Sequence, residues 1–104
     1  MSFENLEPIP FKEALDSSQN AVLLDVRTPE EIAAAKIDGA VELNFFEGDF
    51  SQRITELDKG KDYFVYCRSG NRSGQTCAFM LSNGFNGRLV NLQGGIMAWE
   101  TTTF

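Results

Sequence analysis

The sequence predicts an α/β fold in which a parallel sheet is covered by helices on both faces. Short runs of β-branched and aromatic residues alternate along the chain with segments whose apolar residues have helical spacing. The run from Ala21 to Asp25 is apolar until its final charge, as in strands that are buried on both faces. Because strands that alternate with helices are typical of parallel sheets, these patterns favour that class.

The elements follow in order from local patterns. A helix is predicted over residues 10–15, with Pro10 in its first turn, and a strand over residues 21–25. Thr28 is placed to cap a second helix, because a proline and two acidic residues follow it. The remaining elements are a strand at 40–43, a helix at 50–57, a strand at 63–66, a helix at 73–82, a strand at 88–92 and a closing helix that contains residues 97–99.

Length and composition limit the class of protein. A chain of 104 residues, 42% of them hydrophobic, fits one domain over residues 1–104. The net charge of −6 argues against nucleic acid or an anionic membrane as a partner. The apolar runs are too short to span a bilayer and the first residues lack signal-peptide features, so we expect a cytoplasmic protein with two free thiols.

The chain contains no histidine. A Cys-His dyad, a Ser-His-Asp triad and a metal site with histidine ligands are therefore excluded. We expect neither a metal nor another cofactor.

The strongest functional signal is Cys67, which directly follows the predicted strand at 63–66 and precedes the predicted helix at 73–82. A strand-to-helix turn directs backbone N–H groups and the positive end of the helix dipole toward one point. Arg68 and Arg72 flank that point, so a thiol there is expected to ionise easily. Asp25 ends a neighbouring strand, and the carboxyl edge of a parallel sheet is where ligands bind. The loop after Cys67 consists of Arg68, Ser69, Gly70, Asn71, Arg72 and Ser73.

Four ordered segments resemble the landmarks of the rhodanese (thiosulfate sulfurtransferase) family. They are Asp25-Val26-Arg27-Thr28-Pro29-Glu30-Glu31, Ile37-Asp38-Gly39-Ala40, Cys67-Arg68-Ser69-Gly70-Asn71-Arg72-Ser73, and Asn91-Leu92-Gln93-Gly94-Gly95-Ile96 with Trp99. The resemblance implies a single rhodanese-like α/β domain with a central, mostly parallel sheet of about five strands. It also implies a persulfide on Cys67 and transfer of that sulfur to a thiophilic acceptor.

Two details refine the resemblance. Where the family usually has Gly-His-Ile-Pro-Gly-Ala, this chain has Ala35-Lys36-Ile37-Asp38-Gly39-Ala40, so the local turn is expected to differ. Phosphatases with a cysteine thiolate need arginine at the sixth position after the cysteine, and here Ser73 stands there. The shorter loop favours a sulfurtransferase over a phosphatase.

The resemblance also assigns roles. The Cys67 thiolate attacks a sulfane donor such as thiosulfate, and backbone N–H groups of residues 68–73 stabilise the persulfide. Gly70 is expected to take a positive φ that closes the loop, while Arg68 and Arg72 attract the anionic donor. Asp25 and Arg27 are expected to orient the site by pairing with loop groups such as Arg72, and direct contact with the substrate is the alternative role. The expected partners are a small sulfur-containing anion as donor and, as acceptor, either cyanide or a thiol, with a sulfur-relay protein as one candidate carrier of that thiol.

Other interpretations stay open. The chain is alternatively a sulfur carrier that a partner protein loads, or a redox-sensing thiol protein, since fold alone does not choose. Cys67 itself is alternatively a core residue. Cys77 is expected to pack in the core rather than act as a resolving thiol, and Trp99 is expected to be a core aromatic. Phe45 and Phe46 follow a strand end and are candidates to line a pocket or contact a protein partner.

Overall fold

Five strands and five helices alternate along the computed structural model, which describes residues 2–104; Met1, the first residue of the predicted domain, lies outside the described residues. In chain order the elements are β1 (Glu4–Leu6), α1 (Pro8–Ser17), β2 (Ala21–Asp25), α2 (Pro29–Ala34), β3 (Val41–Glu42), α3 (Phe50–Thr55), β4 (Asp62–Tyr66), α4 (Asn71–Ser82), β5 (Leu89–Leu92) and α5 (Gly95–Glu100).

The strands form one fully parallel sheet with the order β1-β5-β4-β2-β3. The prediction of a parallel sheet of about five strands is therefore confirmed. Asp25 lies opposite Tyr66 in the register of β2 and β4. Because the two strands end together, Asp25 and Cys67 lie at the same carboxyl edge of the sheet, where ligands bind in folds of this class.

The sheet separates two apolar cores. On one face, β4 contributes Tyr63 and Val65, which pack with side chains of α3 and α4. On the other face, Phe64 and Tyr66 pack with Phe11 of α1 and with side chains of α5. Successive strand residues point to opposite faces, so both sides of β4 are buried and helices cover both faces as predicted.

The boundaries differ from the predicted ones in ways that have local causes. The sequence did not predict β1, a strand of three residues at the sheet edge with two polar members. Helix α1 begins at Pro8 rather than at Pro10, because proline fits the first helical position. Helix α4 begins at Asn71, two residues earlier than predicted, directly after Gly70. The loop that follows Cys67 is therefore shorter than the sequence suggested.

Helix α5 supports this loop through its first turn. The backbone N–H of Ile96 donates to the carbonyl of Cys67 at 3.0 Å, and the N–H of Met97 donates to the carbonyl of Arg68 at 3.2 Å. Gly95 has a φ of +62°, and a Cβ at that position would lie 2.2 Å from the carbonyl oxygen of Arg68. Gly95 therefore allows the first turn of the last helix to approach the loop backbone closely.

We predict that Gly95→Ala destabilises the fold more than Gly39→Ala. Gly39 also has a positive φ, of +89°, but nothing lies within 4 Å of its added Cβ. The control therefore carries only the backbone penalty, about 1–2 kcal/mol. Gly95→Ala adds a steric conflict that costs about 2 kcal/mol more. Urea unfolding followed by circular dichroism measures both free energies, and equal losses would contradict this account of the contact.

Candidate active site

Cys67 lies at the carboxyl end of β4 with its sulfur turned into a ring of hydrogen-bond donors. The sulfur accepts from the backbone N–H of Gly70 at 3.1 Å, from the backbone N–H of Ser73 at 3.4 Å and from the Ser73 hydroxyl at 3.3 Å. The residue is only 1% exposed. Gly70 closes the ring with a φ of +101°, the positive value that the sequence predicted.

The pKa of Cys67 reflects two opposed effects. Burial alone acts to raise it, since a charged sulfur is poorly solvated in the interior. The Ser73 hydroxyl and the backbone N–H groups of Ser73, Gly70 and Ser69 stabilise the thiolate and outweigh burial, so the pKa of Cys67 is lowered. A lowered pKa in such surroundings is typical of reactive cysteines.

Arg72 of α4 is held by a carboxylate. Its two terminal nitrogens donate to both Glu31 oxygens, at 2.9 Å and 2.8 Å. Its guanidinium also lies 5.3 Å from the ring centre of Phe46, which is 67% exposed. The hydrogen bonds from Arg72 lower the pKa of Glu31 to about 2, although burial opposes them. The expectation that Asp25 and Arg27 pair with Arg72 is therefore wrong, because Glu31 takes that place.

Asp25 and Arg27 instead form a buried pair with each other. The Arg27 guanidinium donates to Asp25 at 2.9 Å and 2.8 Å, and the Tyr66 hydroxyl donates to Asp25 at 2.6 Å. Arg27 also donates to the carbonyls of Glu31 and Ala35. These contacts tie the end of β2 to the segment that follows α2. Such pairing is what a buried charge needs.

The departure from the family pattern lies beside this buried pair. The backbone N–H of Ile37 donates to the Tyr66 hydroxyl at 3.1 Å, so the segment is anchored through its backbone. Lys36 itself is exposed. Its replacement of the usual histidine therefore leaves the turn attached to the sheet.

Arg68, Ser69 and Asn71 lie on the outside of the loop and are exposed. Among residues 2–104, Arg68 takes part in none of the ion pairs. It lines an open cavity of about 300 Å³ together with Met97 and Glu100. Of the two loop arginines, Arg68 is thus the one whose charge faces solvent without a carboxylate partner.

Three residues of this region were not singled out from the sequence. Glu31 was interpreted only as a helix-start charge, but its side chain also forms a capping box with Thr28, the predicted N-cap residue. Tyr66 was interpreted as a strand residue, although its hydroxyl bonds Asp25. Asn91 accepts a hydrogen bond from the Ser73 hydroxyl at 2.5 Å. Asn91 could have been noticed in the sequence, because it is the one polar residue in the otherwise apolar strand β5.

The other candidates form no hydrogen bond with the Cys67 sulfur, whose partners are Gly70 and Ser73. Cys77 is fully buried in α4, both cysteines are free, and burial raises the pKa of Cys77 to about 12, so its core role is confirmed. Trp99 packs edge-on against Phe11.

Across residues 2–104 no cluster of Cys, Asp and Glu is placed to hold a metal ion. No helix in that same range is both long and apolar enough to cross a membrane.

Comparison with known proteins gives consistent matches along the chain. A family model described as Rhodanese-like domain matches residues 8–102. The protein named Sulfurtransferase from Allochromatium vinosum is 42% identical over 85 residues, which cover 82% of this chain and 77% of that protein. YtwF of Bacillus subtilis is 37% identical over 99% of this chain and 96% of its own length. The crystal structure of a rhodanese-like domain protein from Staphylococcus aureus superposes with a TM-score of 0.78 at 27% identity, covering 93% of this chain and 91% of that one.

We predict that Glu31→Gln destabilises the fold at neutral pH but much less in acid. The pKa of the Glu31 carboxyl is about 2, below its usual 4.5, so its stabilisation is complete above about pH 4.5 and is lost as the pH falls toward 2. We expect a loss of about 1 kcal/mol at pH 7, discounted for partial exposure of the pair. Urea unfolding at pH 7 and at about pH 2.5 measures this.

Glu30→Gln is the matched control. Glu30 shares the first turn of α2 with Glu31 but is exposed and belongs to none of the ion pairs within residues 2–104. Both variants lose a charge near the helix start, so the control measures the dipole effect alone. If both variants lose the same stability at pH 7, the ion pair with Arg72 contributes nothing.

Proposed function

The chain belongs to the rhodanese-like domain family, and from this premise we propose that residues 1–104 form a single sulfurtransferase domain that works through a persulfide on Cys67. The donor is thiosulfate or a similar sulfane compound, and the acceptor is cyanide or a thiol. Relatives named as sulfurtransferases support a sulfurtransferase role. The observation that carries the persulfide proposal is the ring of donors around the Cys67 sulfur.

The proposed reaction has two displacements at sulfur. The Cys67 thiolate attacks the outer sulfur of thiosulfate, an S–S bond forms, and the donor's S–S bond breaks with its electron pair leaving on sulfite. The product is a persulfide whose negative charge lies on the terminal sulfur. Cyanide then attacks that sulfur and leaves as thiocyanate, which regenerates the thiolate. With anionic donor and acceptor neither step needs a proton, which suits a chain without histidine.

The loop donors are suited to both states of the cysteine. In the free state the N–H groups of Gly70 and Ser73 donate to the thiolate. In the persulfide, the charged terminal sulfur is bonded directly to the Cys67 sulfur, so the same amides remain close to the charge. Amide donors that are already oriented before the charge develops stabilise a transition state without reorganisation.

The two loop arginines are given different tasks in this proposal. Arg68, without a carboxylate partner and beside an open cavity, attracts the dianionic donor. Arg72 is engaged by Glu31 and serves to hold the start of α4 against α2. The sequence led us to expect that both arginines attract the donor. In this proposal only Arg68 does so. A local positive group matters because the chain as a whole carries a net charge of −6.

A cytoplasmic location and a thiol acceptor belong to the same proposal. Both cysteines are free, and thiols persist in reducing compartments. A thiol acceptor on a sulfur-relay protein would be reached at the open side of the loop, where Arg68 and Ser69 are exposed.

We predict that Cys67→Ser abolishes sulfur loading from thiosulfate while the fold is retained. A serine hydroxyl is not ionised at neutral pH and does not form a persulfide. Mass spectrometry after incubation with thiosulfate should show one added sulfur atom on the wild type and none on the variant. Cys77→Ala is the control and should load normally, because burial raises the pKa of Cys77 to about 12 and its thiol stays protonated.

The same experiment separates the proposed enzyme from its alternatives. Thiocyanate release on adding cyanide supports the enzyme. Sulfur loading without thiocyanate release would contradict catalytic turnover and favour a sulfur carrier. No loading, combined with peroxide-dependent sulfenic acid on Cys67, would overturn the proposal in favour of a redox-sensing thiol.

We predict that Arg68→Ala raises KM for thiosulfate about tenfold and leaves an uncharged sulfane donor almost unaffected. One lost charge contact of about 1.4 kcal/mol corresponds to that factor. Arg68→Lys is the control, because it keeps the charge and should keep most of the affinity. Steady-state kinetics with both donors measures the difference. Equal losses with both donors would mean that Arg68 shapes the loop instead of attracting charge.

A further inference from the structure

A buried amide lies behind the loop on the side away from solvent. Asn91 of β5 is 5% exposed, and its Nδ2 donates to the carbonyl of Gly70 at 3.1 Å and to the side chain of Asn5 at 2.9 Å. Its Oδ1 accepts from the Ser73 hydroxyl at 2.5 Å. The same hydroxyl lies 3.3 Å from the Cys67 sulfur. Asn91 is therefore connected to the sulfur through a single oxygen atom.

The orientation of this amide is fixed by the Gly70 carbonyl. A backbone carbonyl only accepts hydrogen bonds, so the Asn91 atom beside it has to be the nitrogen. The opposite atom, which faces Ser73, is then the oxygen and has no proton to give. The Ser73 hydroxyl is consequently the donor in the bond of 2.5 Å.

One proton therefore serves two acceptors. The Ser73 hydroxyl has a single hydrogen, and both Asn91 Oδ1 and the Cys67 sulfur are placed to receive it. While the hydrogen is on the Asn91 side, a lone pair of the Ser73 oxygen faces the sulfur. That arrangement suits an uncharged sulfur, whose S–H donates to the oxygen. A negatively charged sulfur needs the hydrogen, and the bond to Asn91 is then given up.

We propose that Asn91 is a positioning residue that holds the Ser73 hydroxyl proton while the Cys67 sulfur is uncharged and yields it when the sulfur becomes a thiolate. The inference deepens the proposed function and rests on it only in taking Cys67 as the nucleophile. The sulfur bonded to the protein is uncharged in the thiol and in the persulfide, so the hydroxyl turns once in each half of the cycle.

This competition limits how strongly the thiolate is stabilised. Turning the hydroxyl toward sulfur removes a buried hydrogen bond from Asn91, and that loss offsets part of the gain at sulfur. Nucleophilicity falls as the pKa of a thiol falls. Asn91 thus keeps Cys67 ionisable without making its thiolate inert.

Asn91 is not needed to hold the loop in place. The Gly70 carbonyl also accepts from the N–H of Gly74 at 3.1 Å, and α5 holds the carbonyls of Cys67 and Arg68. Asn5 is exposed, so water can replace Asn91 as its partner. Removing the Asn91 amide should therefore act on Ser73 and leave the backbone donors of the ring where they are.

The charged and titratable groups around Cys67 are not mutated in the experiment that tests this inference. They are Arg68 of the loop, Arg72 of α4 with its partner Glu31, and the Asp25, Arg27 and Tyr66 group at the ends of β2 and β4. The other packed neighbours of Cys67 belong to the apolar core on the α3 and α4 face. None of these groups contacts Asn91 through the hydrogen bonds described above.

The test is the pH dependence of Cys67 alkylation in a double-mutant cycle. Asn91→Leu keeps the size of the side chain but removes the competing acceptor, so the apparent pKa should fall by about one unit. Below that pKa alkylation should be about three- to fourfold faster, because tenfold more thiolate is partly offset by its lower nucleophilicity. Ser73→Ala removes the hydroxyl and should raise the pKa by about one unit, while Ser73→Thr should restore it. The double variant should match Ser73→Ala, because Asn91 acts only through the hydroxyl.

Three results would overturn the inference. They are a higher or unchanged pKa in Asn91→Leu, the same downward shift in the Ser73→Ala background, and an equal shift in Asn5→Ala, which leaves the Ser73 bond intact. Circular dichroism checks folding, and Asn91→Ala replaces Asn91→Leu if the latter unfolds. Alkylation needs no sulfur donor, so absent sulfur loading with the expected pKa shifts would count against the proposed function and not against Asn91.

Discussion

A buried sulfur surrounded by hydrogen-bond donors is the feature on which the rest of this site depends. Cys67 is almost completely removed from solvent, and burial by itself penalises a charged sulfur. The Ser73 hydroxyl and the amide donors reverse this effect because they stabilise the charged sulfur, and the amide dipoles are already oriented toward it. The fold must therefore place several N–H groups within reach of one atom without exposing it to water. This requirement accounts for the short loop, its positive φ at Gly70 and the immediate start of α4.

The direction of the loop peptides follows from the last helix. The carbonyls of Cys67 and Arg68 accept from N–H groups of α5, so they point toward that helix. Because the two ends of a trans peptide point in opposite directions, the N–H that follows Arg68, that of Ser69, is turned toward the sulfur. This N–H is among the groups that lower the pKa of Cys67. Gly95 allows the contact, since any Cβ there would overlap the Arg68 carbonyl.

The sequence predicted the parts of this site that depend on neighbours along the chain. The strand at residues 21–25, the Thr28 cap and the positive φ of Gly70 are set by local residue types, and all three agree with the structure. The partner of Arg72 was predicted wrongly because Glu31 lies 41 positions away and the choice between nearby acids is made by packing. Strand β1 was missed because three residues with mixed polarity carry almost no pattern.

The lack of histidine gives the hydroxyl of Ser73 its importance. On the proposed function, the groups that bond the Cys67 sulfur do not include a base, because they are backbone amides, which only donate, and the Ser73 hydroxyl, which is a very weak base. The ionisation of Cys67 is then governed entirely by how well its surroundings solvate a charge. Every backbone donor in the ring is fixed by the fold, whereas the Ser73 hydroxyl can turn. The acceptor that competes for its hydrogen is Asn91 of β5, on the buried side of the loop. On this inference Asn91 therefore controls the orientation of the Ser73 hydroxyl.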